Sequence, residues 1–278
     1  MGSYLRPTEL DEALAALAAR PRVIIAGGTD YFPARVGRPL DDDIVDITAL
    51  SSLRRIAEDR RYWRIPALAT WTDVIDAKLP PLFDGLKLAA REVGGVQIQN
   101  AGTVCGNLCN ASPAADGIPN LLALDAQVEL ASASGRRVLP VAAFVTGNRR
   151  TVRRDDELVT AVLIPKPEGE ARSTFLKLGA RKYLVISIVM IGAVIELRPD
   201  RTIAAARIAV GSCSAVAQRL PALERRLAGK ALSESIAEIP TSDDLQPLSP
   251  IDDVRGTAAY RRDATLTLLR RALRELAQ

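Results

Sequence analysis

From Asn100 to Asp116 the chain carries almost nothing large enough to fill a core, and an apolar segment, Ile118 to Leu124, follows at once. A stretch of this composition lets backbone N–H groups come close to something flat or anionic. Gly102 and Gly106 can take positive φ, while Thr103, Asn107, Asn110 and Ser112 offer hydrogen bonds. The segment reads either as a binding loop or as a compact structural loop capping a helix that starts at Ser112-Pro113. Long compact loops tend to carry function, which favours the first reading. A second segment of the same character, Ala26-Gly27-Gly28-Thr29-Asp30, lies far upstream behind Val23-Ile24-Ile25. A strand delivering a glycine pair can expose successive N–H groups to a phosphate, with the Thr29 hydroxyl as a further donor. A tight turn without a ligand explains that segment equally well. Together the two segments suggest one extended ligand held at both ends, and a dinucleotide such as FAD is the natural candidate.

Composition narrows the chemistry. At 278 residues, 48% hydrophobic and 25% charged, the chain is an ordinary globular sequence long enough for about two domains. It contains no histidine, which removes Ser-His-Asp and Cys-His catalysis, most zinc sites and flavin attachment through imidazole. The three cysteines, Cys105, Cys109 and Cys213, are too few for a [2Fe–2S] cluster held by this chain alone. They suit a reducing compartment better than a disulfide framework. With no signal-peptide pattern and no apolar run of membrane-spanning length, a cytoplasmic location is expected. Net charge is +4. The densest basic clusters are Arg149-Arg150 with Arg153-Arg154, and Arg261-Arg262 with Arg270-Arg271. Without interleaved aromatics they argue against nucleic acid and for a solvated face or an acidic partner.

Along the chain, a helix opens near Thr8 with Leu10, Leu14 and Leu17 on one face. Strands are expected at 22–26, 43–47, 62–67, 126–131 and 158–164, with helices at 72–78 and 86–92. Helix alternating with strand at the start predicts a small parallel α/β unit. Pro165 to Glu170 interrupts both helix and sheet and marks a linker. Beyond it, strands are expected at 173–178, 186–197 and 201–210, and helices at 215–227 and 253–276. The last carries an apolar stripe of Leu266, Leu269, Leu273 and Leu276.

Single residues are less decisive. Cys105 and Cys109 fit no metal or redox spacing and read as small hydrophobes. Lys177, inside an apolar strand, either faces solvent or sets its ammonium near a cofactor that becomes anionic on reduction. Asp116 either accepts hydrogen bonds from sugar hydroxyls or sits as a charge at a helix start.

The chain resembles the FAD-binding medium subunit of the molybdenum hydroxylases, the xanthine dehydrogenase and carbon monoxide dehydrogenase family. The resemblance runs through Ala26 to Asp30, Ile65 to Asp73 with Pro66 at the usual glycine, Gln97 to Asp116, Phe175-Leu176-Lys177 with Arg181, and Asp253 to Arg262. It implies an α+β fold: a two-subdomain FAD-binding domain of the PCMH type over residues 1–168, split near 50–60, then a C-terminal domain of a small antiparallel sheet with helices over 172–278. It implies that Ile24, Ile25, Ala26, Gly27, Gly28, Thr29, Asp30 and Tyr31 cradle the pyrophosphate of non-covalently bound FAD. Thr103, Val104, Cys105, Gly106 and Asn107 are implied as the second loop, Asp116 as a ligand of sugar or ribityl hydroxyls, Val159 as a packing contact and Lys177 as a neighbour of the flavin ring. The family usually has Gly-Gly where this chain has Cys105-Gly106, so a β-carbon there raises the question of reduced FAD affinity.

The function so implied is an oxidoreductase subunit without catalytic side chains of its own. It would pass electrons from the [2Fe–2S] clusters of a small partner subunit through FAD to NAD+, oxygen or a quinone. A large partner subunit would hold the molybdenum–pterin centre, and the whole would assemble as a dimer of heterotrimers. A flavin-free assembly module of the same fold and a free-standing flavin oxidase are the alternatives.

Overall fold

Short runs of Ile and Val bounded by Pro, Gly and Asp build the first sheet. In the computed structural model, which describes residues 2–37 and 39–278, Tyr4–Leu5, Ile44–Asp46 and Val23–Ile25 pair in parallel with Ile44–Asp46 in the middle. The Leu10–Ala19 helix covers them and buries Ala13, Leu14 and Leu17 against Val45, Ile47 and Leu50. That is the small parallel unit the alternation predicts. Its helix is entered from Glu9 without a side-chain cap, because the Glu12 carboxylate accepts the Thr8 N–H instead.

A second, antiparallel sheet runs in the order Ala57–Glu58, Tyr62–Pro66, Leu158–Pro165, Gln127–Ser132, Gly135–Pro140. Gly135–Pro140 is a strand the sequence pattern does not mark, since it is a mostly exposed edge rich in arginine. One face of this sheet and the helices Trp71–Asp76, Asp84–Glu92, Val104–Asn110 and Gly117–Ala123 enclose the largest core, with Trp71, Phe83, Leu86, Leu108 and Leu121 almost wholly buried.

Pro165 ends one strand and Glu170 begins the next. Glu170–Leu178, Val189–Leu197, Ile203–Gly211 and Gln218–Arg219 then form a four-stranded antiparallel sheet. Val189–Leu197 is a near-continuous apolar run because both of its faces are covered. The Ala258–Ala277 helix packs one face through Leu268, Leu269, Leu273 and Leu276. On the other face the backbone of the Gly117–Ala123 helix comes so close that a β-carbon at Gly192 would stand 2.8 Å from the Pro119 carbonyl carbon. This contact brings Lys177 of the third sheet to Asp116.

Two helices begin later than the pattern predicts. Residues 218–219 pair with the sheet edge, so the helix over Pro221–Leu227 starts at its proline. The final helix starts at Ala258, where Thr257 caps the Tyr260 N–H, and 253–256 forms a turn ahead of it.

Candidate functional site

The Val23–Ile25 strand runs out at Ala26, and Gly27 then packs directly on the backbone of Ala101 and Gly102. A β-carbon at Gly27 would lie 1.9 Å from the Ala101 carbonyl oxygen, so only glycine allows the two small-residue segments to meet. Gly28 follows in the left-handed region at φ 65°, its α-carbon facing the Phe32 ring. Phe32 and Ala34 donate back to the carbonyls of Gly28 and Asp30. The N–H groups of Gly27, Gly28, Thr29, Asp30 and Tyr31 find no acceptor among the described residues. The Tyr31 ring is pinned by its hydroxyl donating to Asp42 Oδ2 at 2.8 Å and by Arg35, 3.8 Å above its centroid. Burial and the bond to Asp42 raise its pKa above the usual phenol range.

The second segment is not a loop for most of its length, because Val104–Asn110 is an α-helix. Thr103 is its N-cap, with Oγ1 accepting the Gly106 N–H at 2.9 Å, and Ala111 ends it in the left-handed region at φ 47°. The next helix starts at Gly117 rather than at Ser112-Pro113, and Asn107 Oδ1 accepts its first N–H at 3.3 Å. Small residues here serve close helix packing: a β-carbon at Gly117 would meet the Trp71 ring at 2.7 Å. Val104 faces the core, its N–H donating to the Ala69 carbonyl.

Between these walls lies a cleft of about 710 Å³. Ile24 through Tyr31, Thr103, Cys105, Gly106, Asn107 and Val159 all line it. Val159 sits at a bulge in its strand, where the register with Gln127–Ser132 slips by one residue. Cys105 contributes backbone; its side chain is buried and Sγ points to the Ile65 carbonyl at 3.7 Å. Burial pushes the Cys105 thiol well up, and pushes Cys109 up to about 11, so neither is a ready thiolate.

Asp116 and Lys177 do not line this cleft. They meet in an adjoining recess of about 340 Å³, which shares Val93 and Asn107 with it. Lys177 Nζ lies 2.7 Å from Asp116 Oδ2, and the Ser187 hydroxyl donates to Oδ1 at 2.7 Å. Both partners of the ion pair are under a tenth exposed. Burial raises the Asp116 pKa, against the opposing pull of Lys177 and Ser187. The sequence offers these two residues as separate candidates; the structure makes them one unit.

The sequence reading also passes over cleft residues. Trp71, Ile98 and Cys109 line it, as do Arg22, Arg35, Arg149 and Arg153, while Asn110, one of the hydrogen-bonding residues expected of the segment, lines it too. The arginine cluster at 149–154 is visible in the sequence as charge, but nothing there distinguishes a cleft rim from a solvated face.

Successive N–H donors without acceptors among the described residues, a glycine approach no side chain could replace, and a cleft of this volume fit a nucleotide diphosphate. Comparison with known proteins agrees. The family described as the FAD binding domain in molybdopterin dehydrogenase matches residues 1–167, and the CO dehydrogenase flavoprotein C-terminal domain matches 174–276. The nicotine 6-hydroxylase medium subunit of Paenarthrobacter nicotinovorans is 30% identical over 98% of this chain and 96% of its own. The nicotinate dehydrogenase FAD-subunit of Eubacterium barkeri is 35% identical over 70% and 68%. A chain of quinoline 2-oxidoreductase from Pseudomonas putida 86 superposes with a TM-score of 0.88 at 27% identity, over 100% of this chain and 97% of that one. One from CO dehydrogenase of Oligotropha carboxidovorans shares the fold at 0.89 and 23% identity, covering 100% and 98%. The chain belongs to the FAD-binding medium subunits of the molybdenum hydroxylases, an oxidoreductase family that includes the xanthine dehydrogenase and CO dehydrogenase flavoproteins.

Proposed function

We propose that this chain is the electron-transfer subunit of a molybdenum hydroxylase complex. It takes electrons from [2Fe–2S] clusters of a small partner subunit and delivers them to NAD+ or another acceptor, while a large partner subunit holds the molybdenum–pterin centre. The proposed assembly is a dimer of heterotrimers working in the cytoplasm. The proposed domain division is an FAD-binding domain over 1–168 and a C-terminal domain over 172–278.

The observation that carries this reading is the run of free N–H groups from Gly27 to Tyr31, locked against Ala101 by the absent Gly27 side chain. These groups would hold the FAD diphosphate as hydrogen-bond donors, and Thr103, Cys105, Gly106 and Asn107 would line the opposite wall, where the Cys105 N–H is the helix-start amide left without an acceptor among the described residues. FAD, when bound, supplies redox chemistry in single or paired electron steps. The chain supplies binding and orientation. Trp71 and Val159 give the cleft apolar walls that exclude water. The Asp116–Lys177 ion pair is net neutral and would act as a fixed dipole in the adjoining recess, holding its polar atoms beside the cofactor. No side chain need act as acid, base or nucleophile.

The test is the visible spectrum of the purified chain, or of the chain incubated with FAD and desalted. A flavin spectrum, with FAD released intact by acid, is the expected result. A folded chain that stays colourless and takes up no FAD beside its copurified partners would favour the flavin-free assembly module instead. Identifying the copurified chains tests the partner assignment separately.

A further inference from the structure

The basic cluster at 149–154 is divided by the fold. Arg154 turns to carboxylates, with Nε 3.3 Å from Asp156 and Nη2 3.1 Å from Glu157. Arg149 and Arg153 instead line the cleft, and neither has a carboxylate partner among the described residues. Arg149 Nη1 donates to Asn110 Oδ1 at 2.6 Å, and Arg153 Nη1 to the carbonyls of Arg154 at 2.8 Å and Glu157 at 2.9 Å. These neutral acceptors orient both guanidinium groups without cancelling their charge. The other two cleft arginines differ: Asp42 neutralises Arg35 at 2.8 Å, and Arg22 is turned to the Ser3 hydroxyl and the Ala16 carbonyl, with Asp43 near enough to feel its charge.

The backbone holds Arg149 in place as well. It is left-handed at φ 55°, and its N–H donates at 2.9 Å to the carbonyl of Ala111, itself left-handed at φ 47°. Two strained residues bonded to each other tie the tip of the 145–151 hairpin to the C-terminal end of the Val104–Asn110 helix. Arg153 is close enough to Cys109, another cleft residue, for its charge to pull against the burial that raises that thiol.

We propose that Arg149 and Arg153 form a second, cationic half of the diphosphate site, gripping the phosphates of the bound dinucleotide from the side of the Val104–Asn110 helix. The proposal rests on the FAD reading above. The N–H groups of Gly27 to Tyr31 supply hydrogen bonds but no countercharge, and two uncompensated guanidinium forks supply it in a geometry that matches phosphate oxygens. An acidic partner surface, the reading the sequence favours for this cluster, is the competing occupant.

The test uses the chain stripped of cofactor, with Arg149→Gln, Arg153→Gln, the double variant and Arg154→Gln. Affinity for FAD and for ADP, which carries the diphosphate without the flavin, is measured from low to high salt. Each cleft substitution is expected to weaken both ligands roughly tenfold, and the double variant more, while the melting temperature falls by only a few degrees from the lost hydrogen bonds to Asn110, Arg154 and Glu157. The double variant should also lose most of the salt dependence of the wild type. Arg154→Gln should bind as the wild type does. Replacing both cleft arginines by lysine should restore the salt dependence but only part of the affinity, and it serves in place of a Gln variant that does not fold.

Wild-type FAD and ADP affinity in the double variant overturns the proposal. So does a double variant that holds FAD normally but, once loaded, loses NADH or a copurifying acidic subunit. A wild-type chain that binds neither FAD nor ADP refutes the FAD reading itself, which is a different result.

Discussion

Gly27→Ala is the smallest change that tests how the cleft is built. The added β-carbon would fall 1.9 Å from the Ala101 carbonyl oxygen, 2.5 Å from its carbon and 3.0 Å from the Gly102 nitrogen. All three are backbone atoms that no rotamer change can remove. The two segments must part by about 1.1 Å before even a 3.0 Å contact is reached. Forcing packed backbone apart costs about 1–3 kcal/mol, which in a chain of this size lowers the melting temperature by roughly 5 °C. The same movement carries the Gly27–Tyr31 N–H groups away from the helix start at Thr103. A ligand bridging both then loses at least one hydrogen bond to a charged group, about 1.5–3 kcal/mol, or tenfold and more in FAD affinity. Calorimetric melts and FAD titrations on the same preparations measure both quantities. Gly147→Ala is the control, because its β-carbon would meet only the Arg150 side chain at 3.7 Å or beyond. A Gly27→Ala protein that melts and binds FAD like the wild type would refute the account of how the two walls are joined.

Asp116→Asn should cost about 3 kcal/mol or more in denaturant unfolding, because it strands the buried Lys177 charge, and adding Lys177→Met should recover most of that loss. Equal effects for the single and double variants would mean that the pair is not coupled. Cys105→Gly should lower stability by about 1–2 kcal/mol without improving FAD affinity, since its side chain packs in the core with Sγ turned to the Ile65 carbonyl; tighter FAD binding would show that the β-carbon does obstruct the cofactor. Asp253 is held down to about 2 by the Arg255 N–H and by the Arg261 and Arg255 side chains. Its folded pKa lies below the unfolded one, so its contribution is complete above about pH 4 and is lost as pH falls towards 2. Asp253→Asn should therefore flatten the fall in melting temperature over that range, and an unchanged slope would show that other carboxylates carry it.

Much of the fold is legible locally. The Leu10, Leu14 and Leu17 spacing and the Val23–Ile25 and Ile44–Asp46 runs specify a parallel unit, because helix and strand periods differ and each must bury one face. Capping decides where helices begin, and several residues compete for it. Ser112-Pro113 is as good a start on paper as Gly117, and the chain takes Gly117 because that residue lets the helix pass under Trp71. Gln218–Arg219 has no strand signature; it is recruited by the open edge of Ile203–Gly211.

For the site, the sequence by itself determined the two glycine-bearing segments, since Gly27 and Gly28 fill places that no other residue could. It also determined the lack of histidine and the concentration of arginine at 149–154. Only the tertiary structure decided which charges face the cleft, that the Cys105 thiol turns into the core, and that Asp116 and Lys177 are one ion pair. The reason is physical. A residue's conformational limits are local, whereas its partners are set by contacts between segments far apart in the chain, as Asp116 and Lys177 are by the packing of the Gly117–Ala123 helix on the third sheet.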